Sequence, residues 1–162
     1  MFINTLIWIL KNFSFALFLV AVMFSCVQWA IHHKTPTYEI FYRWVTLALG
    51  ISSLYTFIMH AFYPASSAAI IGWQTSPFQF EVAVANFSFG VIALISFHAS
   101  YGFRLANVIG NSCWLMGDAI GHIYQMITFH NFNPGNAGSW FWMDIIIPLV
   151  LMICISRMRA RL

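Results

Sequence analysis

The sequence predicts an all-α fold, a polytopic integral membrane bundle of about five transmembrane helices. Three observations carry that expectation. Of 162 residues, 61% are hydrophobic, 19% aromatic and only 7% charged, whereas a soluble domain carries roughly 25% charged residues. The apolar residues gather in stretches long enough to cross a hydrocarbon core, which takes about 20 residues per helix. The basic residues then fall mainly on one side of those stretches. There is no linker, low-complexity segment or convincing internal period, so residues 1–162 read as one transmembrane domain.

Taken in order, the first span runs from about Asn12 to Ile31, with residues 1–10 either extending it or lying in the interface. The opening MFINTLIWILKNF lacks the basic region and small-residue cleavage site of a signal peptide, so it is expected to stay on the chain. The second span, Tyr38 to Phe62, is closed off by Pro64. The third runs from Pro77 to Phe97, and Ser76-Pro77-Phe78-Gln79 reads as a capping box with proline at the first helical position. The fourth runs from Arg104 to Phe129. The turn cluster at 133–138 then leads into the fifth, Trp140 to Ser156, with Ser139 as its expected cap.

Orientation follows from the cations. Lys34 and Arg43 flank the first loop, Arg104 opens the fourth span, and Arg157, Arg159 and Arg161 end the chain. With five spans these share one side. The positive-inside rule then puts the C-terminus in the cytoplasm and the N-terminus outside, as expected in a bacterial inner membrane. Stretches 63–76 and 130–139 hold no Lys or Arg, as outside loops should, and Lys11 is the exception. The net charge of +3 forms no basic patch on a solvated face, so nucleic acid is excluded as a partner. Cys26, Cys113 and Cys154 sit in apolar stretches without CxxC spacing and read as packing residues. No nucleotide-binding loop or nucleophile motif is present.

The informative residues are the ionisable ones inside the spans, which cost a few kcal/mol each to insert and so point to function. Three of the four acids, Glu81, Asp118 and Asp144, are placed there; the fourth, Glu39, pairs with Arg43 four residues on. At 1.5 Å rise per residue, Glu81 and Asp144 each lie about 6–7 Å inside the outer ends of their helices, and His122 about 10 Å. Asp118 is one turn deeper than His122 on the same face. His60 ends the second span on that side and His130 begins the next outer loop. Asn107, Asn111, Trp114, Asp118, His122 and Gln125 form one polar stripe on the fourth span. Gly117-x-x-x-Gly121 beside it is expected to let the third span approach, with Glu81, Ala85 and Ser88 facing it.

Carboxylate with imidazole suits a divalent transition metal such as zinc, iron or manganese, or a proton. The candidate ligands are Glu81, Asp118, His122, His60, His130 and Asp144. Each also has a plainer reading: an acid favoured near a helix N-terminus, an imidazole packing against Asp118, or an interfacial histidine, as for His32, His33 and His98. Trp73, Trp140 and Trp142 read as an outer aromatic belt or as the wall of a lipid-facing pocket.

Three stretches carry a resemblance: Ile71 to Asn86 (IGWQTSPFQFEVAVAN), Gly117 to Tyr124 (GDAIGHIY) and His130 to Gly138 (HNFNPGNAG), followed by Asp144 and Pro148. They resemble the signature of a bacterial and archaeal family of small membrane proteins of unknown function, over roughly the C-terminal two thirds, with His60-Ala-Phe62 part of the pattern. Gln74 stands where that family typically has proline. A looser likeness joins the glutamate-bearing helix to DoxX-like four-helix membrane proteins. The resemblance implies a multi-helix membrane protein and supplies no activity.

Three functions remain open on sequence. The site suits an enzyme acting on a lipid-like or quinone-like substrate from the outer leaflet, or a cation transporter. Alternatively, the polar groups hold together a structural or assembly subunit in the bilayer beside a membrane partner protein.

Overall fold

Inside hydrocarbon a backbone must satisfy its own hydrogen bonds, and helices do so within one segment. The computed structural model of the chain is accordingly helical, with no strand among the described residues, which are 2–31, 35 and 37–159. His32, His33, Lys34 and Arg161, expected on the inner side, lie outside that range. The elements are α1 (Phe2–Lys11), α2 (Phe13–Ile31), α3 (Thr37–Phe62), α4 (Pro64–Ile71), α5 (Phe78–Ser96), α6 (Tyr101–Phe129), α7 (Pro134–Ala137) and α8 (Ser139–Arg159).

The long helices α2, α3, α5, α6 and α8 fall on the five expected spans to within three residues at each end. Four segments, Phe13–Ile31, Thr37–Phe62, Phe78–Ser96 and Pro134–Met158, are long and apolar enough to cross a membrane. The longest helix, α6, has 29 residues but is not among them. Its asparagines, Asp118 and His122 lower its hydropathy. It nevertheless runs the height of its neighbours. Near its start, Arg104 donates to the carbonyls of Ser96 and Phe97 at the end of α5 (3.2 and 2.9 Å). Farther along, His122 lies beside Asp144 near the start of α8.

Several local expectations are corrected. Of the two expectations for residues 1–10, the described ones (from Phe2) follow the first and extend the span: Asn12 N–H donates to Trp8 and Ala16 N–H to Asn12, so the helical ladder continues from α1 into α2. Pro64 does more than stop α3; it opens α4, whose missing N–H is harmless at a first helical position. The capping box does not form. Pro77 precedes α5 without a side-chain cap, because Gln79 Nε2 donates to the Pro64 carbonyl at 2.9 Å. Ser139 is the first residue of α8, and its hydroxyl donates to Asn12 Oδ1 at 2.8 Å. Cys154 is buried, but Cys26 and Cys113 are exposed, and none of the three is bonded to another.

Packing centres on α3, which meets α2, α5 and α8. The α3–α5 crossing is close: a Cβ on Gly90 would sit 3.1 Å from the Gly50 carbonyl oxygen and 3.1 Å from Ser53 Cβ. The face of α5 turned inward carries Ala83, Asn86, Gly90, Ala93 and Ser96. The expected Glu81–Ala85–Ser88 face is therefore not the packing face, and Glu81 and Ser88 are exposed. Gly117 and Gly121 do not serve helix contact either. A Cβ on Gly117 would meet nothing within 4 Å, and one on Gly121 only Trp73 Cη2 at 3.9 Å.

The polar groups separate to two ends. At one, Arg104 is buried and bonds Glu39 at 2.7 Å, so the expected Glu39–Arg43 pair (3.0 Å) is one arm of a three-residue cluster. A hydrogen-bonded column rises from it. Asn107 Nδ2 donates to Thr46 Oγ1 (3.2 Å) and Tyr42 Oη (3.4 Å), and Asn111 Nδ2 donates to Asn107 Oδ1 (2.9 Å). The column stops at Asn111, below buried Leu49 and Leu115. Beyond those leucines, at the end carrying α4 and α7, is a cavity.

Candidate functional site

The cavity is built around two neighbouring turns of α6. Spacing of four brings Asp118 and His122 to one face, and the short α7 sets Asn136 against them. Asn136 is fully buried and makes four hydrogen bonds. Its Nδ2 donates to the carbonyls of His122 (3.2 Å) and Asn131 (2.9 Å). Those two acceptors fix which end of the amide is oxygen. Its Oδ1 accepts from Trp73 Nε1 at 3.0 Å and lies 2.8 Å from His122 Nδ1. An amide oxygen only accepts, so the imidazole proton is on Nδ1 and Nε2 of the neutral ring carries the lone pair.

That lone pair faces Asp144, whose Oδ2 is 3.7 Å from Nε2. The separation is too long for a direct hydrogen bond. Asp118 lines the same cavity as Asp144. Trp73 and Phe141 lean on the imidazole, with ring centroids 5.6 and 6.5 Å from it.

The cavity holds about 350 Å³, and its walls are mainly apolar. That volume lies within the roughly 300–1,000 Å³ of small-molecule sites. Several donors on its walls are already engaged. Trp140 Nε1 donates to the Lys11 carbonyl (2.8 Å), Tyr55 Oη to Leu10 (3.1 Å), Ser67 Oγ to Met59 (3.0 Å) and Asn86 Nδ2 to Val82 (3.0 Å). By contrast, Gln79 Oε1 and His60 Nδ1 are buried without a hydrogen-bond partner.

Of the expected site residues, Asp118, His122, Asp144 and His60 line this one cavity. Glu81 and His130 do not. Glu81 is exposed because α5 turns Gln79, Val82 and Asn86 inward instead, and His130 is exposed as the left-handed C-cap of α6 (φ 52°). The alternative of His122 packing on Asp118 is replaced by the Asn136 contact. Trp73 and Trp140 line the cavity, whereas Trp142 lies exposed outside it. Among the described residues, no three His, Cys, Asp or Glu side chains are grouped so as to hold a metal ion. The acids and imidazoles as placed thus do not fit a zinc, iron or manganese ion held by three protein ligands.

Sequence reading missed Asn136, Asn131 and Gln79. Asn131 Nδ2 donates to the Ile71 and Gly72 carbonyls (3.0 and 3.3 Å), tying the loop after α6 to the end of α4. The available signal was three asparagines, 131, 133 and 136, between two membrane helices, more side-chain amides than a turn requires.

The model of a family described as "Family of unknown function (DUF6790)" matches residues 11–161, and the chain belongs to that family. This agrees with the expected membership of an uncharacterised family; nothing in the match speaks to the looser DoxX-like likeness. No match was found among curated proteins or among solved structures.

Proposed function

We propose that this member of a family of unknown function is a multi-pass membrane binding protein whose cavity faces the outer leaflet. There it takes up a small amphipathic ligand and exchanges a proton with it through His122 and Asp144. The observation that carries the reading is the hydrogen bond from His122 Nδ1–H to Asn136 Oδ1, which leaves the Nε2 lone pair aimed at Asp144 inside the cavity. His122 Nε2 can take a proton from a bound molecule, and the Asp144 carboxylate then stabilises the imidazolium produced. The outward placement is supported by the absence of Lys and Arg from 63–76 and 130–139. A structural subunit would need the polar groups satisfied by one another, whereas Asp144 accepts no hydrogen bond among the described residues.

The test is infrared difference spectroscopy across a pH range on the purified protein in lipid nanodiscs, with metal content measured on the same samples. A carboxyl band that titrates, vanishes in Asp144→Asn and shifts in His122→Gln is the expected result. The proposal fails if Asp144→Asn folds and leaves every titrating band in place. It also fails if the parent holds one equivalent of a divalent metal that either variant loses.

A further inference from the structure

The acids and the imidazole of the cavity share one wall, and their chemistry names a ligand class. The Tyr55, Ser67, Trp73 and Trp140 donors are turned to backbone carbonyls or to Asn136. On one wall, three groups have no hydrogen-bond partner among the described residues: the Asp118 and Asp144 carboxyls and the His122 Nε2 lone pair. Buried acceptors without partners are unfavourable, so a molecule filling the cavity is selected for donors.

The geometry points to a protonated amine carried on an apolar chain. A single ammonium set beside His122 Nε2 and Asp144 Oδ2 reaches both, because acceptors 3.7 Å apart can each lie at an ordinary distance of about 2.8 Å from one nitrogen. The third ammonium proton is free for Asp118 on the same cavity wall. The faces of Trp73, Trp140 and Tyr55 line the same space, with Tyr55 and Trp140 stacked at 6.2 Å, and aromatic faces attract cations. Lys11 stands at the rim but forms no ion pair with either aspartate among the described residues, so the protein's own ammonium does not fill the role. The mainly apolar walls account for the chain.

This inference rests on the cavity reading above and narrows its ligand. The amine comes either from the headgroup of an aminophospholipid or from a free long-chain amine. The experiment is a titration of the protein, in phosphatidylcholine nanodiscs, with dodecylamine and separately with dodecanol. Binding is read from the part of the tryptophan fluorescence that Trp73→Phe removes. Dodecylamine should bind saturably and dodecanol should not. Asp144→Asn should weaken the amine about tenfold or more, as loss of a charge-assisted hydrogen bond does. Asp118→Asn should weaken it several-fold. Discs containing phosphatidylethanolamine settle the source, since competition identifies the headgroup and its absence a free amine. Equal responses to amine and alcohol overturn the proposal, as does an amine affinity unchanged in both variants. If the Asp144 infrared titration persists in that event, the ligand class alone falls; if it is absent too, the acid–base reading falls with it.

Discussion

Four hydrogen bonds converge on the Asn136 side chain, and two of their donors, His122 Nδ1 and Trp73 Nε1, have no other acceptor among the described residues. Asn136→Ala strands both. A buried polar group left unpaired costs about 1–3 kcal/mol, so thermal unfolding in detergent should fall by several degrees. The sharper readout is nitrogen NMR of His122. The parent should show the proton on Nδ1, and Asn136→Ala a shift of the proton toward Nε2, because Asp144 beside that nitrogen is then the nearest acceptor. Asn136→Asp keeps the acceptor while losing both donated bonds, so it should destabilise the fold yet preserve the tautomer. A parent ring already mixed would remove the basis of the acid–base reading. Residues of this kind mark the boundary of what the sequence discloses. Asp118, His122, Asp144 and His60 were legible because an ionisable group in an apolar run is conspicuous. Asn136 was not, since an asparagine in a turn already has an ordinary explanation. Glu81 failed for the converse reason: charge within a span is visible, but which face carries it depends on which stripe of α5 packs on α3.

Among the elements, two pairs of helical glycines look alike in sequence and act oppositely. Gly50 and Gly90 set how closely α3 and α5 approach, because a Cβ on Gly90 meets backbone oxygen and Ser53 at 3.1 Å. A leucine there must push the helices apart. Gly90→Leu should therefore destabilise by about 1–3 kcal/mol, the usual range for overpacking, and disturb the cavity wall through neighbouring Ser52 and Ser53. Gly117 faces the cavity with nothing near its missing Cβ. Gly117→Ala should be neutral or stabilising by up to about 1 kcal/mol from helix propensity alone, while leaving a methyl group in the ligand's space. Denaturation of both variants checks the contrast; equal destabilisation would mean that α6 packs on another helix at Gly117. The five long helices were readable because length and hydropathy are properties of one segment. Contacts such as α3–α5 are properties of two, and no spacing within α6 shows which neighbour its glycines meet. The short helices α4 and α7 were hidden because their polar, proline-opened sequences also suit loops.

For the molecule as a whole, charge is distributed along the bundle axis. Arg43, Arg104 and Arg157 lie at the end where α3 and α6 start and α8 finishes, with Glu39 as the acid there. The opposite end, with α4, α7 and the cavity, has Lys11 as its cation among the described residues. Cations near helix ends are retained on the cytoplasmic side during insertion, and acids count for little. The ion-cluster end should thus be inside, and the cavity should open toward the outer leaflet. Paired single cysteines test this, placed in a background without Cys26, Cys113 and Cys154. Ser66 on α4 and Ser100 before α6 are both exposed and make no side-chain hydrogen bond, so each tolerates the change. In intact spheroplasts a membrane-impermeant maleimide should label Ser66→Cys at once, and Ser100→Cys only after lysis. The reverse pattern would put the cavity in the cytoplasmic leaflet and rule out uptake from outside. Labelling of both in intact spheroplasts would place the two ends on one side, which α3, running from the ion cluster to the cavity, cannot satisfy if it crosses the membrane.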